Sequence, residues 1–365
     1  MRSLVGEAPV APRVRATFNL LTVASVEPLT SDSVAVTFDV PADLAEAYTF
    51  RPGQHLTIRS DHGAPNSRRS YSIASPAGGP LRVGIKRLPG GAFSGWAVRD
   101  LRPGMQLDVM TPMGEFGTDI QPETARHHVA LAAGSGITPV LSIVASVLAG
   151  EPASTMTLLY GSRGSAQIMF GEELADLKDS HPARFQLLHF LSREPQASPL
   201  RAGRLDAAKL DGVLGPLVPL DADVWYLCGP NDAVADWADV LTARGVEASR
   251  INRELFHAGP LPARPVVDAP LDGPHRTVFF TLDGRSGEIE ISPEETVLDG
   301  VLRLRPDAPF ACRGGVCGTC RATVNSGTVA MDANFALEPD EIERGFVLTC
   351  QARPTTDEVT VDYDR

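Results

Sequence analysis

Four cysteines in the last quarter of the chain carry the plainest chemistry. Cys312, Cys317 and Cys320 stand as C-x4-C-x2-C in ACRGGVCGTC, and Cys350 follows after 29 intervening residues in LTCQARP. Four thiolates can ligate two irons bridged by sulfide, and this first spacing is one used for a [2Fe–2S] cluster. Gly314, Gly315 and Gly318 let the backbone approach the bridging sulfides and leave N–H groups free to donate. A zinc site more often uses two paired knuckles, and the second half here supplies only one Cys. A thioredoxin-like pair at Cys317 and Cys320 leaves Cys312 and Cys350 unexplained. The spacing therefore predicts metal ligation by Cys312, Cys317, Cys320 and Cys350. The fifth cysteine, Cys228, stands apart, and an odd count concentrated at one end argues against a disulfide framework.

A second constellation lies upstream. Gly134-Ser135-Gly136-Ile137-Thr138-Pro139 follows an apolar strand pattern and opens a helical one. Such a G-x-G turn lets a dinucleotide pyrophosphate approach a helix N-terminus and its partial positive charge, although alone it is often only a tight turn. Tyr160-Gly161-Ser162-Arg163 ends the next strand. The Ser162 hydroxyl and Arg163 guanidinium suit a 2′-phosphate, and the acidic residue that would bind a ribose 2′-hydroxyl is missing. This favours NADPH over NADH; the bland alternative is an exposed loop charge at Arg163.

These residues need elements to position them. From Asn19 to Ile120 the pattern is of short, partly alternating strands with Pro/Gly punctuation, which predicts a small antiparallel barrel. From Arg126 to His257, apolar strands alternate with helical stretches at Pro139–Leu148, Ala166–Lys178 and Ala233–Arg244, the pattern of a parallel sheet covered on both faces. Residues 259–275, with five prolines, read as a semi-rigid linker. After it, RTVFFTL and RSGEIEI flank Asp283-Gly284 as a hairpin. A short amphipathic helix over Glu295–Arg305, the Cys-rich loop, another helix-like stretch and a final strand, EVTVDY, complete the chain. His127 and His128 precede a strand and read as capping or packing residues.

Arg69-Ser70-Tyr71-Ser72, in SRRSYSIAS after the turn Arg51-Pro52-Gly53-Gln54, resembles the R-x-Y-S flavin motif of the ferredoxin–NADP reductase superfamily. The resemblance implies that Arg69 pairs with a pyrophosphate, Tyr71 stacks on the isoalloxazine and Ser72 bonds near its reactive edge. Ile85, Lys86 and the loop Gly90-Gly91-Ala92-Phe93-Ser94 match the second strand and phosphate loop, with Gly91, Phe93 and Ser94 in contact. That loop implies FAD rather than FMN. Gly134, Gly136 and Thr138 match the superfamily's G-x-G-[IV]-[TA]-P, with Thr138 beside the flavin. Cys228-Gly229-Pro230 matches its C-G-P element near the nicotinamide, so Tyr71, Ser72 and Cys228 become the candidate catalytic residues. For Cys228, a small core thiol remains an equal reading. Glu254-Leu255-Phe256 resembles the terminal E-x-F, with Glu254 and Phe256 bordering the flavin.

The C-terminal stretch from Arg276 resembles the plant-type ferredoxins, which are β-grasp domains. The expected architecture is thus an antiparallel β-barrel for FAD (17–122), an α/β parallel-sheet nucleotide-binding domain (123–258), the linker (259–275) and a β-grasp [2Fe–2S] domain (276–365). The whole chain is similar to the reductase components of multicomponent oxygenases. It is most similar to the reductase subunits of phenylacetyl-CoA epoxidases, on AAGSGITPVLSI, GGVCGTC and GTVAMDANFALEPDEIERGFVLTCQARPTTDEVTVDYD. That resemblance implies electron flow from NADPH through FAD and the cluster to a di-iron oxygenase of other subunits, in phenylacetate breakdown. Reductases of ketosteroid hydroxylases and other ring oxygenases share much of the pattern. A redox sensor that keeps the cofactors without turnover is the more distant alternative.

Composition sets the outer bounds. The chain has 365 residues, 43% apolar and 21% charged, which predicts two or three globular domains. A net charge of -12 argues against nucleic-acid binding, which needs clustered cations. The segment from Arg276 holds sixteen acidic and nine basic residues, a net of -7. It is either a solvated acidic face or an electrostatic guide for a partner oxygenase. The N-terminus lacks a signal-peptide apolar run and reads as a frayed lead-in. The uncharged run Val129–Gly150 is broken by Gly134, Gly136 and Pro139, so it reads as strand, turn and helix rather than a membrane span. A soluble, cytoplasmic protein is expected.

Overall fold

The computed structural model describes residues 16–62, 67–196, 198–256, 275–337 and 339–364. The lead-in, residues 1–15, and nearly all of the expected linker, residues 259–274, lie outside the described residues.

The first sheet has six antiparallel strands. They are β1 (Phe18–Thr30), β2 (Ser33–Asp39), β3 (His55–Ser60), β4 (Ser67–Ser72), β5 (Leu81–Lys86) and β6 (Gln106–Met110), in the order β4-β3-β6-β1-β2-β5. A bridge between Ile73 and Val83 joins the end of β4 to β5, so the first and last strands of that order meet. Alternation drives this sheet: Leu21, Val23, Val36, Leu56, Ile58, Val83 and Ile85 turn inward onto one apolar core. Helix α1 (Ala92–Asp100) follows β5 and was not expected as a helix, because its first residues read as a phosphate loop.

The second sheet is parallel, in the order β11-β10-β7-β8-β9. Its strands are β7 (His127–Ala133), β8 (Thr155–Ser162), β9 (Phe185–Leu191), β10 (Val224–Pro230) and β11 (Ile251–Phe256). Helices α2 (Ile137–Gly150), α3 (Gly171–Ser180), α4 (Ala207–Val213) and α5 (Asn231–Ala243) connect them. Helix α3 starts five residues later than the sequence suggests. Phe170 takes a left-handed φ of 56° and separates the helix from a 3-10 turn over Ser165–Gln167. The run Val129–Gly150 is β7, a turn and α2; among the described residues no helix is long and apolar enough to cross a membrane.

The third unit is a mixed sheet, β13-β12-β18-β14-β16, with a two-stranded β15-β17 ribbon beside it. It comprises β12 (Arg276–Leu282), β13 (Arg285–Ile291), β14 (Arg321–Ser326), β15 (Val329–Met331), β16 (Phe346–Leu348), β17 (Ala352–Pro354) and β18 (Glu358–Asp362). The expected hairpin is β12–β13, with Asp283 at a φ of 55° and Gly284 at 66°. Helix α6 (Val297–Leu304) packs Val297, Leu298 and Val301 on this sheet and is capped by Thr296, whose hydroxyl accepts from the Asp299 N–H. Helix α7 (Pro339–Glu343) precedes β16. Parallel β12–β18 pairing with one helix across the sheet is the β-grasp arrangement.

The first two units share a core. Ala35, Ala74 and Phe116 of the barrel pack in one cluster with α2 and with strands β7, β8 and β10. Ser142 Oγ of α2 donates to the Ser75 carbonyl at 2.5 Å, and the Ala77 N–H donates to Ser146 Oγ at 2.9 Å. Beneath this joint Glu151, fully buried, receives Ser154 Oγ at 2.7 Å, the Gln121 N–H at 3.0 Å, His128 Nε2 at 3.2 Å and the guanidinium of Arg126. His128 is thus a packing residue, as its position suggested. Burial opposes the charge of Glu151, but these donors outweigh it and pull its pKa from 4.5 down to about 2. A lowered carboxylate lends stability above its unfolded pKa and loses it as pH falls. Glu151→Gln should therefore cost about 3 kcal/mol near neutral pH in urea titrations, as for one partner lost from a buried pair. That cost should shrink as pH falls below about 4.5. A cost that is the same at all pH values would refute the assignment.

Candidate functional site

The four thiols of the expected metal centre come together as two pairs. Cys312 and Cys317 are hydrogen-bond partners, as are Cys320 and Cys350. Among the described residues no three such side chains converge on one point as a mononuclear site requires. Two pairs of thiols suit two metal atoms instead, one pair to each. Gly315, at a φ of 76°, could not carry a side chain, since a Cβ would lie 2.9 Å from the Ala333 carbonyl oxygen. N–H groups point at sulfur: Gly314 N donates to Cys312 Sγ at 3.3 Å, and Gln351 Nε2 donates to Cys350 Sγ at 3.4 Å. The Cys317 thiol, and then backbone N–H groups, pull Cys312 down to about 6 against the effect of burial, while Cys317 is pushed up. The donor set thus fits a sulfide-bridged two-iron cluster.

The flavin motif lies on β4. Arg69 is exposed and gives one N–H to the Arg68 carbonyl at 2.6 Å, leaving its remaining donors for a diphosphate. The Tyr71 ring lies 5.8 Å from Phe93 at a tilt of 38°, and burial keeps its phenol neutral. Ser70 Oγ is buried without a partner among the described residues. Gly91 is the N-cap of α1, and among the described residues no side chain caps that helix, so its first N–H groups are available to an anion. Phe93 and Ser94, expected as cofactor contacts, are buried, and Ser94 Oγ already accepts from the Leu88 N–H at 3.1 Å. Ile85 lies in the barrel core, and Lys86 Nζ donates to Asp32 at 3.0 Å. The strand and the uncapped helix end fit a flavin dinucleotide.

The G-x-G turn rests against the C-G-P strand end. A Cβ on Gly136 would lie 2.2 Å from the Cys228 carbonyl oxygen, so only glycine allows this approach. Gly134 has a φ of 57°, and Tyr160 Oη, which the sequence did not single out, donates to its carbonyl at 3.0 Å. Gly229 packs on Ala133, and Pro230 precedes α5. Helix α2 likewise has no side-chain cap among the described residues, which suits a dinucleotide phosphate. Thr138 Oγ1 donates to the Ser135 carbonyl at 3.0 Å, and its methyl packs where a Cβ on Gly84 of β5 would stand. Ser162, the last residue of β8, is buried, and Arg163 just beyond it is exposed.

Three segments converge on one carboxylate. Ser72 Oγ, at the end of β4, donates to Glu254 Oε2 at 3.0 Å, and Cys228 Sγ of β10 lies 3.8 Å from the same oxygen. Phe256 pairs with Pro230 two residues further along β11. Burial raises Glu254 to about 7, although the Ser72 and Cys228 hydrogen bonds oppose the shift. Burial, and then the carboxylate, push the Cys228 thiol well up, which keeps it neutral. A raised carboxyl lends its stability below the unfolded pKa of 4.5 and loses it as pH rises through about 7. Glu254→Gln, neutral throughout, should therefore gain melting temperature over the native chain between about pH 5 and about pH 8. A gain that does not change with pH would sink the assignment.

Comparisons with known proteins agree with this geometry. Residues 20–117 match the family model for an oxidoreductase FAD-binding domain, 130–238 that for an oxidoreductase NAD-binding domain, and 280–355 that for a 2Fe-2S iron-sulfur cluster binding domain. The chain is 45% identical over 351 residues to a subunit of the 1,2-phenylacetyl-CoA epoxidase of Escherichia coli (strain K12), covering 95% of this chain and 98% of that protein. It is 32% identical to the 3-ketosteroid-9-alpha-monooxygenase, ferredoxin reductase component, of Rhodococcus rhodochrous, over 94% of this chain and 96% of that one. Among solved structures, phthalate dioxygenase reductase, a modular protein for electron transfer from pyridine nucleotides to [2Fe-2S], aligns with a TM-score of 0.58 at 25% identity, covering 94% and 98% of the two chains. The expected FAD, pyridine nucleotide and [2Fe–2S] cofactors and the three-part architecture all agree with these matches. The chain belongs to the family of oxidoreductases that serve as oxygenase reductase components and join FAD-binding, NAD-binding and [2Fe–2S] domains in one polypeptide.

Proposed function

We propose that this chain accepts hydride from NADPH at the cleft formed by Ser72, Cys228 and Glu254, and passes electrons from the centre at Cys312, Cys317, Cys320 and Cys350 to the oxygenase subunits of a phenylacetyl-CoA epoxidase. The convergence of β4, β10 and β11 on the Glu254 carboxyl carries the reading, because it sets the flavin strand against the edge where a nicotinamide would lie. A flavin held here would supply the exchange between the two-electron chemistry of a nicotinamide and the one-electron chemistry of an iron–sulfur cluster. The protein's part is positional. Arg69 and the α1 N-terminus hold the diphosphate, Tyr71 presents a flat face, and Ser72 Oγ holds a proton against Glu254 Oε2 at 3.0 Å. Gly134, Gly136 and the α2 N-terminus hold the nicotinamide dinucleotide, with Thr138, Gly229 and Pro230 shaping the cleft.

Ser162 and Arg163 support NADPH over NADH. Arg163 is exposed just beyond the end of β8, where its guanidinium is open to a ligand phosphate. The net of -7 from Arg276 onward supports docking of the oxygenase on the ferredoxin domain.

Two measurements test this reading. Arg163→Ala should raise KM for NADPH roughly tenfold and leave NADH nearly unchanged, the loss of one charge-assisted phosphate contact; equal effects would refute the assignment. Mixed with NADPH and purified oxygenase subunits, the holoprotein should support oxidation of phenylacetyl-CoA by an epoxidase faster than oxidation of a ketosteroid by its hydroxylase. The reverse order would transfer the assignment to the ketosteroid system.

A further inference from the structure

Beside Arg69 stands an arginine that the motif does not use. Arg68 is only 4% exposed, although its side chain is the most costly kind to bury without a carboxylate. Its guanidinium is held by backbone instead. Nη1 donates to the carbonyls of Ala308 at 3.1 Å and Phe310 at 3.2 Å, and Nη2 donates to Pro306 at 3.2 Å. The guanidinium carbon lies 3.8 Å from the centre of the Phe310 ring and 5.0 Å from that of Phe18. Burial, and then the like charges of Arg59 and Arg313, pull its pKa down to about 10, so it remains a cation at neutral pH.

The carbonyls belong to the run that leads into Cys312, in a different unit from β4. Pairing between β3 and β4 sets Arg68 opposite Arg59 and Ser72 opposite His55, so these four side chains share one face. On that face His55 Nε2 lies 3.4 Å from Thr319 Oγ1, between Cys317 and Cys320. Two residues of the β3–β4 ribbon therefore grip the cluster loop, one before its first ligand and one between its second and third. Arg68 and Tyr71 are three residues apart on one strand, about 10 Å along it.

We propose that Arg68 is a positioning residue for the internal electron-transfer step: it docks the lead-in of the cluster loop on the flavin strand and so fixes the separation between the two cofactors. The proposal rests on the flavin and cluster sites assigned above. It makes the Pro306–Phe310 carbonyls a socket that only a planar, multiply donating cation fills.

The test uses full-length protein loaded with FAD and the cluster. Rapid mixing with NADPH separates flavin reduction from cluster reduction by their absorption changes. In Arg68→Ala, flavin reduction should stay within about twofold of native while cluster reduction slows roughly tenfold or more, the scale expected when reacting centres lose their alignment. Small-angle scattering of the same oxidised sample should show a more extended particle. Arg68→Lys, which keeps the charge but not the fork, should fall between. Phe310→Leu leaves the flavin strand untouched and should slow the same step by a smaller factor. If Arg68→Ala loses FAD, Phe310→Leu alone decides, and cluster reduction at the native rate in that variant overturns the proposal. Native-rate cluster reduction in Arg68→Ala, or equal slowing of both steps with unchanged scattering, also overturns it. Native protein lacking flavin or cluster absorption would instead overturn the site assignments beneath it.

Discussion

The structure depends on the two-residue alternation of one strand. On β4, Arg69 and Tyr71 share a face with Leu56 and Ile58, and Arg68 and Ser72 share the other with Arg59 and His55. One face carries the residues proposed to hold the flavin; the other meets the cluster loop at one end and Glu254 at the other. A one-residue slip in the β3–β4 register would exchange these faces and separate all three contacts at once. Register is held by the fully buried Leu56 and Ile58, which cannot turn outward without exposing apolar surface. The functional geometry is therefore secured by the same burial that closes the barrel core.

The two joints between units differ in kind. The flavin and nicotinamide units share an apolar cluster and the Glu151 network, so their relative placement is fixed by packing. The ferredoxin unit meets the barrel through polar contacts at Arg68 and His55, around a cleft of about 450 Å³ lined by Phe18, Arg59, Thr319 and Tyr363. Hydride transfer needs close, constant geometry, which a shared core supplies. A cluster that must also deliver electrons to a separate protein is better served by a polar joint, since such joints resemble transient interfaces.

What the sequence revealed follows the same division. The cysteine spacing was legible because covalent ligation demands particular residue types at short separations, and the thiols do meet in pairs. Strands whose apolar residues alternate, such as Leu56 and Ile58 in HLTIRS, were legible for the reason that fixes their register. Helix α1 was not, because Gly90-Gly91 reads as a loop and nothing in Ala92–Ser94 distinguishes a phosphate loop from a first helical turn. Helix α3 began late because a left-handed φ at Phe170 has no sequence signal in an aromatic residue. The Arg68 socket was invisible for a stronger reason: its acceptors are backbone carbonyls some 240 residues away, and carbonyls are the same whatever residue bears them.

The acidic balance of the ferredoxin unit can be sorted in the same physical terms. Arg303, Arg305, Arg313, Arg321 and Arg353 each pair with a carboxylate of that unit, so much of its charge is neutralised locally. The excess lies on other carboxylates, and two of these, Glu288 and Glu290, are exposed on β13, the outer strand of the sheet. Charges on an edge strand discourage pairing with a second sheet, so these two have a structural reason to be there. A long-range field does not depend on that reason, because it sums all charges within a screening length of roughly 10 Å. The same carboxylates can therefore protect an edge and contribute to steering. The alternatives of a solvated face and a guiding field do not exclude each other.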